Sequence, residues 1–181
     1  MKKVLVVIDM QNDFIDGALG TEEAKKIVDP VTAKIREYAG KKVFATRDTH
    51  GEDYLETSEG RHLPVIHCVR GTEGWQLNKK VEEALIQVDA EIIDKPTFGS
   101  EILADKLFEL DRQEKEQGKD GIEIELVGLC TDICVVSNAL LIKSGLYETP
   151  IKVAAKCCAG VTPESHEAAL LTMKMCQVEV E

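Results

Sequence analysis

Several absences narrow what this chain can be before any motif is considered. No apolar run approaches the ~20 residues that a membrane-spanning helix needs. The apolar run after Lys2 and Lys3, Val4–Ile8, is too short for the h-region of a signal peptide and reads as a buried strand, so a secreted protein is not expected and a cytoplasmic one is. Positive charge is short: 22 Lys and Arg stand against 33 Asp and Glu, a formal net charge of −11. That balance argues against nucleic acid or an anionic membrane as partner and says nothing about a substrate. There is no pair of Cys-x-x-Cys motifs, which argues against a zinc ribbon. The cysteines, Cys68, Cys130, Cys134, Cys157, Cys158 and Cys176, sit in neither a small scaffold nor, on this reading, an oxidising compartment. Reduced thiols are expected. Repeats, low-complexity tracts and linker-like stretches are missing too. One domain over residues 1–181, large enough for a three-layer core, is predicted.

What is present is an alternation of strand-like and helix-like runs. Lys2–Ile8 is continuously apolar after its lysines and β-branched, the pattern of a parallel strand covered on both faces. Lys42–Thr46, Glu91–Asp94, Ile122–Val127, Pro150–Ala154 and Cys176–Val180 read as further strands, and Leu63–Ile66 as a possible short one. Helices are predicted over Thr21–Tyr38 (kinked or divided at Pro30), Asn78–Val88, a run capped by Ser100, Asp132–Ser144 and Thr162–Met175. Asp111–Gly121 reads as a solvated helix end and loop. The expected class is α/β: a three-layer α/β/α arrangement on a mostly parallel, Rossmann-like sheet of about six strands.

Reactive side chains collect at the strand ends, where open α/β sheets place their sites. Asp9 follows the first strand, Asp48 and His50 the second, Lys95 the next; Cys134 follows Ile122–Val127. Asp48 and His50, two apart on extended backbone, share a face. A carboxylate and an imidazole suit a divalent transition metal, but two ligands are too few. Glu59, His62 and His67 are the nearby candidates, in a twenty-residue window holding three of the four histidines. Cys134 falls in the first turn of a helix that Thr131 could cap, where the helix dipole and unpaired N–H groups favour thiolate. A coherent chemistry follows. Cys134 attacks a carbonyl, Asp9 moves the proton, and Lys95 holds the carboxylate. Backbone N–H groups at the helix start bind the oxyanion, each worth ~3 kcal/mol of barrier.

The segments Val-Val-Ile-Asp9-Met-Gln-Asn-Asp13-Phe14, Thr-Arg-Asp48-Thr-His50 and His67-Cys-Val with Gly71-Thr72 and Gly74 carry a resemblance. Lys95-Pro-Thr-Phe-Gly-Ser and Gly-Leu-Cys-Thr-Asp-Ile-Cys134-Val complete it. End to end, the chain resembles the isochorismatase-like cysteine hydrolases, and among them the nicotinamidases. The resemblance implies Asp9, Lys95 and Cys134 as catalytic triad, and the amides of Cys130 and Cys134 as oxyanion hole behind a cis Leu129–Cys130 peptide. It implies Phe14 and Leu19 as pocket residues, to which Leu129 and Ile133 are added. It implies a divalent metal, Zn, Mn or Fe, on Asp48, His50 and His67. The remaining ligand departs from the common pattern: Gly51–Ser58 holds no histidine, so Glu59 is the choice and His62 the alternative. A carboxylate there shifts preference toward a harder ion such as Mn.

The implied reaction is hydrolysis of nicotinamide to nicotinate and ammonia through a Cys thioester, with a place in NAD salvage and a homo-oligomeric state. A related enzyme acting on an N-carbamoyl compound or biuret is the first alternative. Isochorismatase is less favoured, since its vinyl-ether hydrolysis does not need the cysteine. A non-catalytic thiol redox sensor, resting on Cys130 and Cys134 one helical turn apart, is the distant one.

Overall fold

The computed structural model describes residues 1–181. Six strands form one all-parallel sheet: β1 (Lys2–Ile8), β2 (Lys42–Asp48), β3 (Glu91–Lys95), β4 (Ile122–Leu129), β5 (Ile151–Ala159) and β6 (Glu179–Val180). Their spatial order is β3-β2-β1-β4-β5-β6. The order reverses beside β1, and the crevice at the carboxyl ends of β1 and β4 is the topological switch point of a doubly wound sheet. β1 is central, pairing with β2 and β4, and Val4–Ile8 are buried on both faces. That is the physical reason its sequence is a continuous apolar run rather than an alternating one.

The helices are α1 (Asn12–Ile15), α2 (Glu22–Glu37), α3 (Ser58–His62), α4 (Lys79–Gln87), α5 (Glu101–Glu116), α6 (Val136–Gly145) and α7 (Pro163–Met175), with a 3₁₀ turn at Tyr54–Glu56. One layer of core lies under α2 and α4; the other lies under α5, α6 and α7. In α2 the buried set Ala24, Ile27, Val28, Val31 and Ile35 recurs at three and four residues, one stripe of a 3.6-residue helix. Thr21 caps it by accepting from Ala24 N, and the helix runs unbroken through Pro30. Thr162 caps α7 with a reciprocal bond to Ser165, and Pro163 takes the first helical position.

Three further expectations need correction. Leu63–Ile66 forms no strand: it is an irregular segment after α3, and only Val69 makes an isolated bridge, to His50. The segment is largely exposed, and its Leu63 lines the cavity at the crevice instead of joining the sheet. Asp111 is not solvated: it is buried within α5, accepts the Ile122 N–H at 3.0 Å and pairs with Lys115 at 2.7 Å, so it ties the helix to the start of β4. The first turn of the helix before α6 is also capped differently, as the site shows.

Candidate active site

Asp9 directly follows β1, and its backbone takes a left-handed φ of 46°, a region that aspartate tolerates better than most residues. Its buried carboxylate accepts from Thr46 Oγ1 at 2.7 Å and lies 2.6 Å from Lys95 Nζ. Lys95 ends β3. Its ammonium also donates to Thr97 O at 2.9 Å and stands 3.6 Å from Cys134 Sγ and 3.7 Å from Asp48 Oδ1. One buried cation thus faces two carboxylates and a thiol.

Burial alone would lower the Lys95 pKa, but Asp9, Cys134 and Asp48 outweigh it and hold the ammonium well above the usual lysine range. Burial pushes the Asp9 carboxyl up, with Lys95 opposing and Asp48 adding to the rise. The Cys134 thiol is also pushed well up, by burial first and Asp9 second, against Lys95. This corrects the expected thiolate: desolvation and a neighbouring carboxylate exceed what a helix N-terminus supplies. The thiol rests protonated, and a base must take its proton.

β4 carries the other half of the site. Gly128 has φ 120°, and a Cβ there would collide with the Ile8 backbone, so glycine lets β4 close against β1 at this point. The Leu129–Cys130 peptide is cis, as the resemblance implied. Cys130, not Thr131, occupies the cap of the widened turn Thr131–Val135 that runs into α6. The N–H groups of Ile133 and Val135 both donate to Cys130 O, leaving the hydroxyl of Thr131 for His166 Nδ1 at 2.8 Å. Thr131 is fully buried under α7, which is why its side chain bonds across rather than along its own turn.

Asp48, His50, Glu59 and His67 each place one ligand atom within 4.8 Å of the others. His50 Nε2 lies 2.8 Å from Asp48 Oδ2 and 3.7 Å from Glu59 Oε1; His67 Nε2 lies 3.6 Å and 3.7 Å from the same two oxygens. His67 Nδ1 donates to Val65 O at 2.7 Å. In its neutral form the ring offers its Nε2 lone pair to the cluster, the arrangement that a carbonyl accepting from the other nitrogen imposes on metal-binding imidazoles. Asp48 turns Oδ2 toward the two imidazoles, while its buried Oδ1, which makes no hydrogen bond, faces Lys95. Two carboxylates and two imidazoles converging on one point fit a divalent cation. His62 is exposed and turned back to Ser58 O, away from the cluster. Burial would raise the Asp48 pKa, but its bonds to His50 and His67 and the charge of Lys95 hold it well below the usual carboxylate range. Glu59 is pushed up by burial and Asp48; His67, despite burial, is raised by Asp48 and the Val65 carbonyl.

A cavity of about 200 Å³ opens over both groups. Phe14, Leu19, Leu129 and Ile133 all line it, together with Cys130, Cys134, Asp48, Glu59 and His67. The structure therefore gathers every predicted site residue except His62 around one crevice.

Other residues, outside the predicted set, support the site. Gln11 accepts from Asp48 N at 2.6 Å and donates to Asp48 O at 2.8 Å, clamping that backbone from both sides. Asp13 accepts the Cys68 N–H at 2.7 Å and so fixes the loop bearing His67. Tyr54, fully buried, sets its ring 4.7 Å from that of His50 and 4.9 Å from that of His67. Gln11 and Asp13 stand inside the Met-Gln-Asn-Asp segment next to Asp9, the available signal; Tyr54 carries none. Trp75 braces the strand end instead of lining the cavity: its Nε1 donates to Thr49 Oγ1 and Arg47 stacks on it at 3.9 Å.

Residues 3–181 match the family model described as the isochorismatase domain. A Bacillus subtilis (strain 168) protein, described as an uncharacterized isochorismatase family protein PncA, is 31% identical over 149 residues, covering 77% of this chain and 78% of that one. The crystal structure of nicotinamidase/pyrazinamidase PncA from Bacillus subtilis superposes with a TM-score of 0.82 at 28% identity over 99% of both chains. The pyrazinamidase of Pyrococcus horikoshii, crystallised in complex with zinc, gives 0.75 at 28% identity over 100% of this chain and 99% of that one.

Proposed function

This chain belongs to the isochorismatase family, and from that premise we propose that it is a metal-dependent amidohydrolase that converts nicotinamide to nicotinate and ammonia. One observation carries the reading: Cys134 and the Asp48, Glu59 and His67 cluster open onto the same cavity. A planar amide whose ring bears a nitrogen can address both at once. The cavity wall has acidic groups and no Lys or Arg, so it suits a neutral amide better than a carboxylate-bearing N-carbamoyl compound or isochorismate.

The chemistry follows from the resting protonation. Asp9 takes the proton from Cys134 as Sγ bonds to the amide carbon and the carbonyl electrons move to oxygen. The N–H groups of Cys130 and Cys134 receive that oxyanion; no acceptor on the protein backbone takes up the Cys130 N–H. Collapse breaks the C–N bond, Asp9 returns its proton to nitrogen, and ammonia leaves a thioester. Water then adds to the thioester carbon as Asp9 takes its proton, the C–S bond breaks, Asp9 returns that proton to Cys134 Sγ, and the acid departs. Lys95 stays charged throughout and keeps Asp9 and Asp48 together in a buried site. Asp48, His50, Glu59 and His67 would hold the divalent ion, which when bound supplies a Lewis-acid anchor for a ring nitrogen. Two carboxylates with two imidazoles favour Mn or Fe alongside Zn.

Against a redox sensor, burial pushes the Cys130 thiol up to about 12, which disfavours the thiolate such a sensor needs. Ammonia release from nicotinamide, biuret and an N-carbamoyl amino acid by protein loaded with Zn, Mn or Fe tests the proposal. Nicotinamide is expected to give the highest kcat/KM. No ammonia from nicotinamide, with Cys134 intact, refutes the assignment.

A further inference from the structure

The segment between β3 and α5, Pro96–Ser100, joins Lys95 to the helix that Ser100 caps. Its middle residue, Phe98, is 41% exposed and lines the cavity with Leu63 and Val161. Its backbone is fixed from another element. Asn138, fully buried in α6 and one turn beyond Cys134, accepts the Ser100 N–H at 3.0 Å and donates to Phe98 O at 3.0 Å. It also donates to Cys134 O at 2.8 Å. Gly99, between the two pinned groups, packs toward Leu141 and Ser137, so the segment follows the surface of α6 closely.

A buried amide with its bonds divided in this way is a cross-link, and deleting it strands polar backbone groups on both sides. Resting on the hydrolase reading above, we propose that Asn138 is a positioning residue that pegs the Phe98 wall of the substrate cavity to the nucleophile helix. Phe98 is thereby a specificity-determining residue for the amide. Asn138 touches no reacting atom. Lys95 also donates to Thr97 O at the near end of the segment, but its ion pair with Asp9 at 2.6 Å does not pass through Asn138, so loss of the peg loosens the wall around Phe98 and leaves that pair in place.

Asn138→Thr separates the roles, because a threonine hydroxyl in a helix can still donate to the carbonyl four residues back, here that of Cys134, while it cannot reach Phe98 or Ser100. Amide hydrogen exchange reads the peg without any substrate. The peptide covering residues 96–100 is expected to lose protection at least tenfold in N138T, with α6 and β3 unchanged. Steady-state kinetics read its consequence: KM for nicotinamide should rise about tenfold with kcat held within about threefold. In a Phe98→Ala background the same substitution should add less than twofold to KM, because the wall it positions is already gone.

Unchanged exchange at 96–100 overturns the peg. An equal KM effect in the F98A background overturns its action through Phe98, and a fall confined to kcat overturns the wall role. If N138T does not fold, Asn138→Ser serves with the same expectations. If the wild type itself releases no ammonia from nicotinamide, the substrate assignment fails; the exchange measurement still decides the peg.

Discussion

Tyr38→Phe isolates a buried charge network far from the crevice. Glu125 in β4 is almost wholly enclosed; Tyr38 OH donates to its Oε2 at 2.6 Å and Lys34 Nζ lies 3.1 Å from its Oε1. The phenylalanine ring fills the same space, so apolar burial is unchanged and only the hydroxyl is lost. A hydrogen bond to a buried charge is worth about 1.5–3 kcal/mol. At roughly 2–4 °C per kcal/mol for a domain of this size, the midpoint should fall by about 3–12 °C at pH 7. The pH dependence follows from the carboxyl. Burial would raise its pKa, but the Tyr38 bond and Lys34 outweigh burial and hold it below the ordinary 4.5. A depressed folded pKa gives stabilisation that is complete above the unfolded value and is lost as pH falls through the folded one. Thermal and urea melts followed by circular dichroism at pH 7 and near pH 3.5 read this. The gap between wild type and Tyr38→Phe should narrow in acid. A gap under 0.5 kcal/mol at pH 7, or one that widens in acid, would refute the reasoning.

Other expected outcomes concern the site directly. Cys134→Ala should abolish amide turnover while moving the melting midpoint by no more than a few degrees; activity in the purified variant removes the nucleophile from Cys134. Glu59→Gln and His50→Ala should each lower bound metal, measured by elemental analysis after dialysis, whereas His62→Ala should retain it. Loss of metal in His62→Ala alone would reverse the choice of ligand. Adding excess divalent ion to chelator-treated protein should raise the melting midpoint, because a ligand that binds only the folded site stabilises by mass action. Gly128→Ala should cost at least about 2 kcal/mol, since φ 120° and contact with the Ile8 backbone leave no room for a methyl group.

Local sequence determined the elements of this protein, because periodicity, caps and β-branched runs act over a few residues. Val4–Ile8, the Thr21 and Thr162 caps and the Ser100 cap were legible for that reason. So was the gathering of Asp9, Asp48, Lys95 and Cys134, since a parallel sheet aligns all its carboxyl ends on one edge. Glu59 could be preferred over His62 only by resemblance; the orientation of α3 turns one side chain in and the other out. Leu63–Ile66 misled because apolar composition does not distinguish a strand from an irregular segment that helps to wall a cavity. The fate of the thiol was beyond local reasoning altogether. A helix start favours thiolate, yet burial beside Asp9 pushes the Cys134 thiol well up, and burial is a property of the packed whole. The same is true of Thr131, Asn138 and Tyr54, whose partners lie 35, 40 and 9 residues away. Sequence chose which groups could react; tertiary packing decided their protonation, their partners and the shape of the space between them.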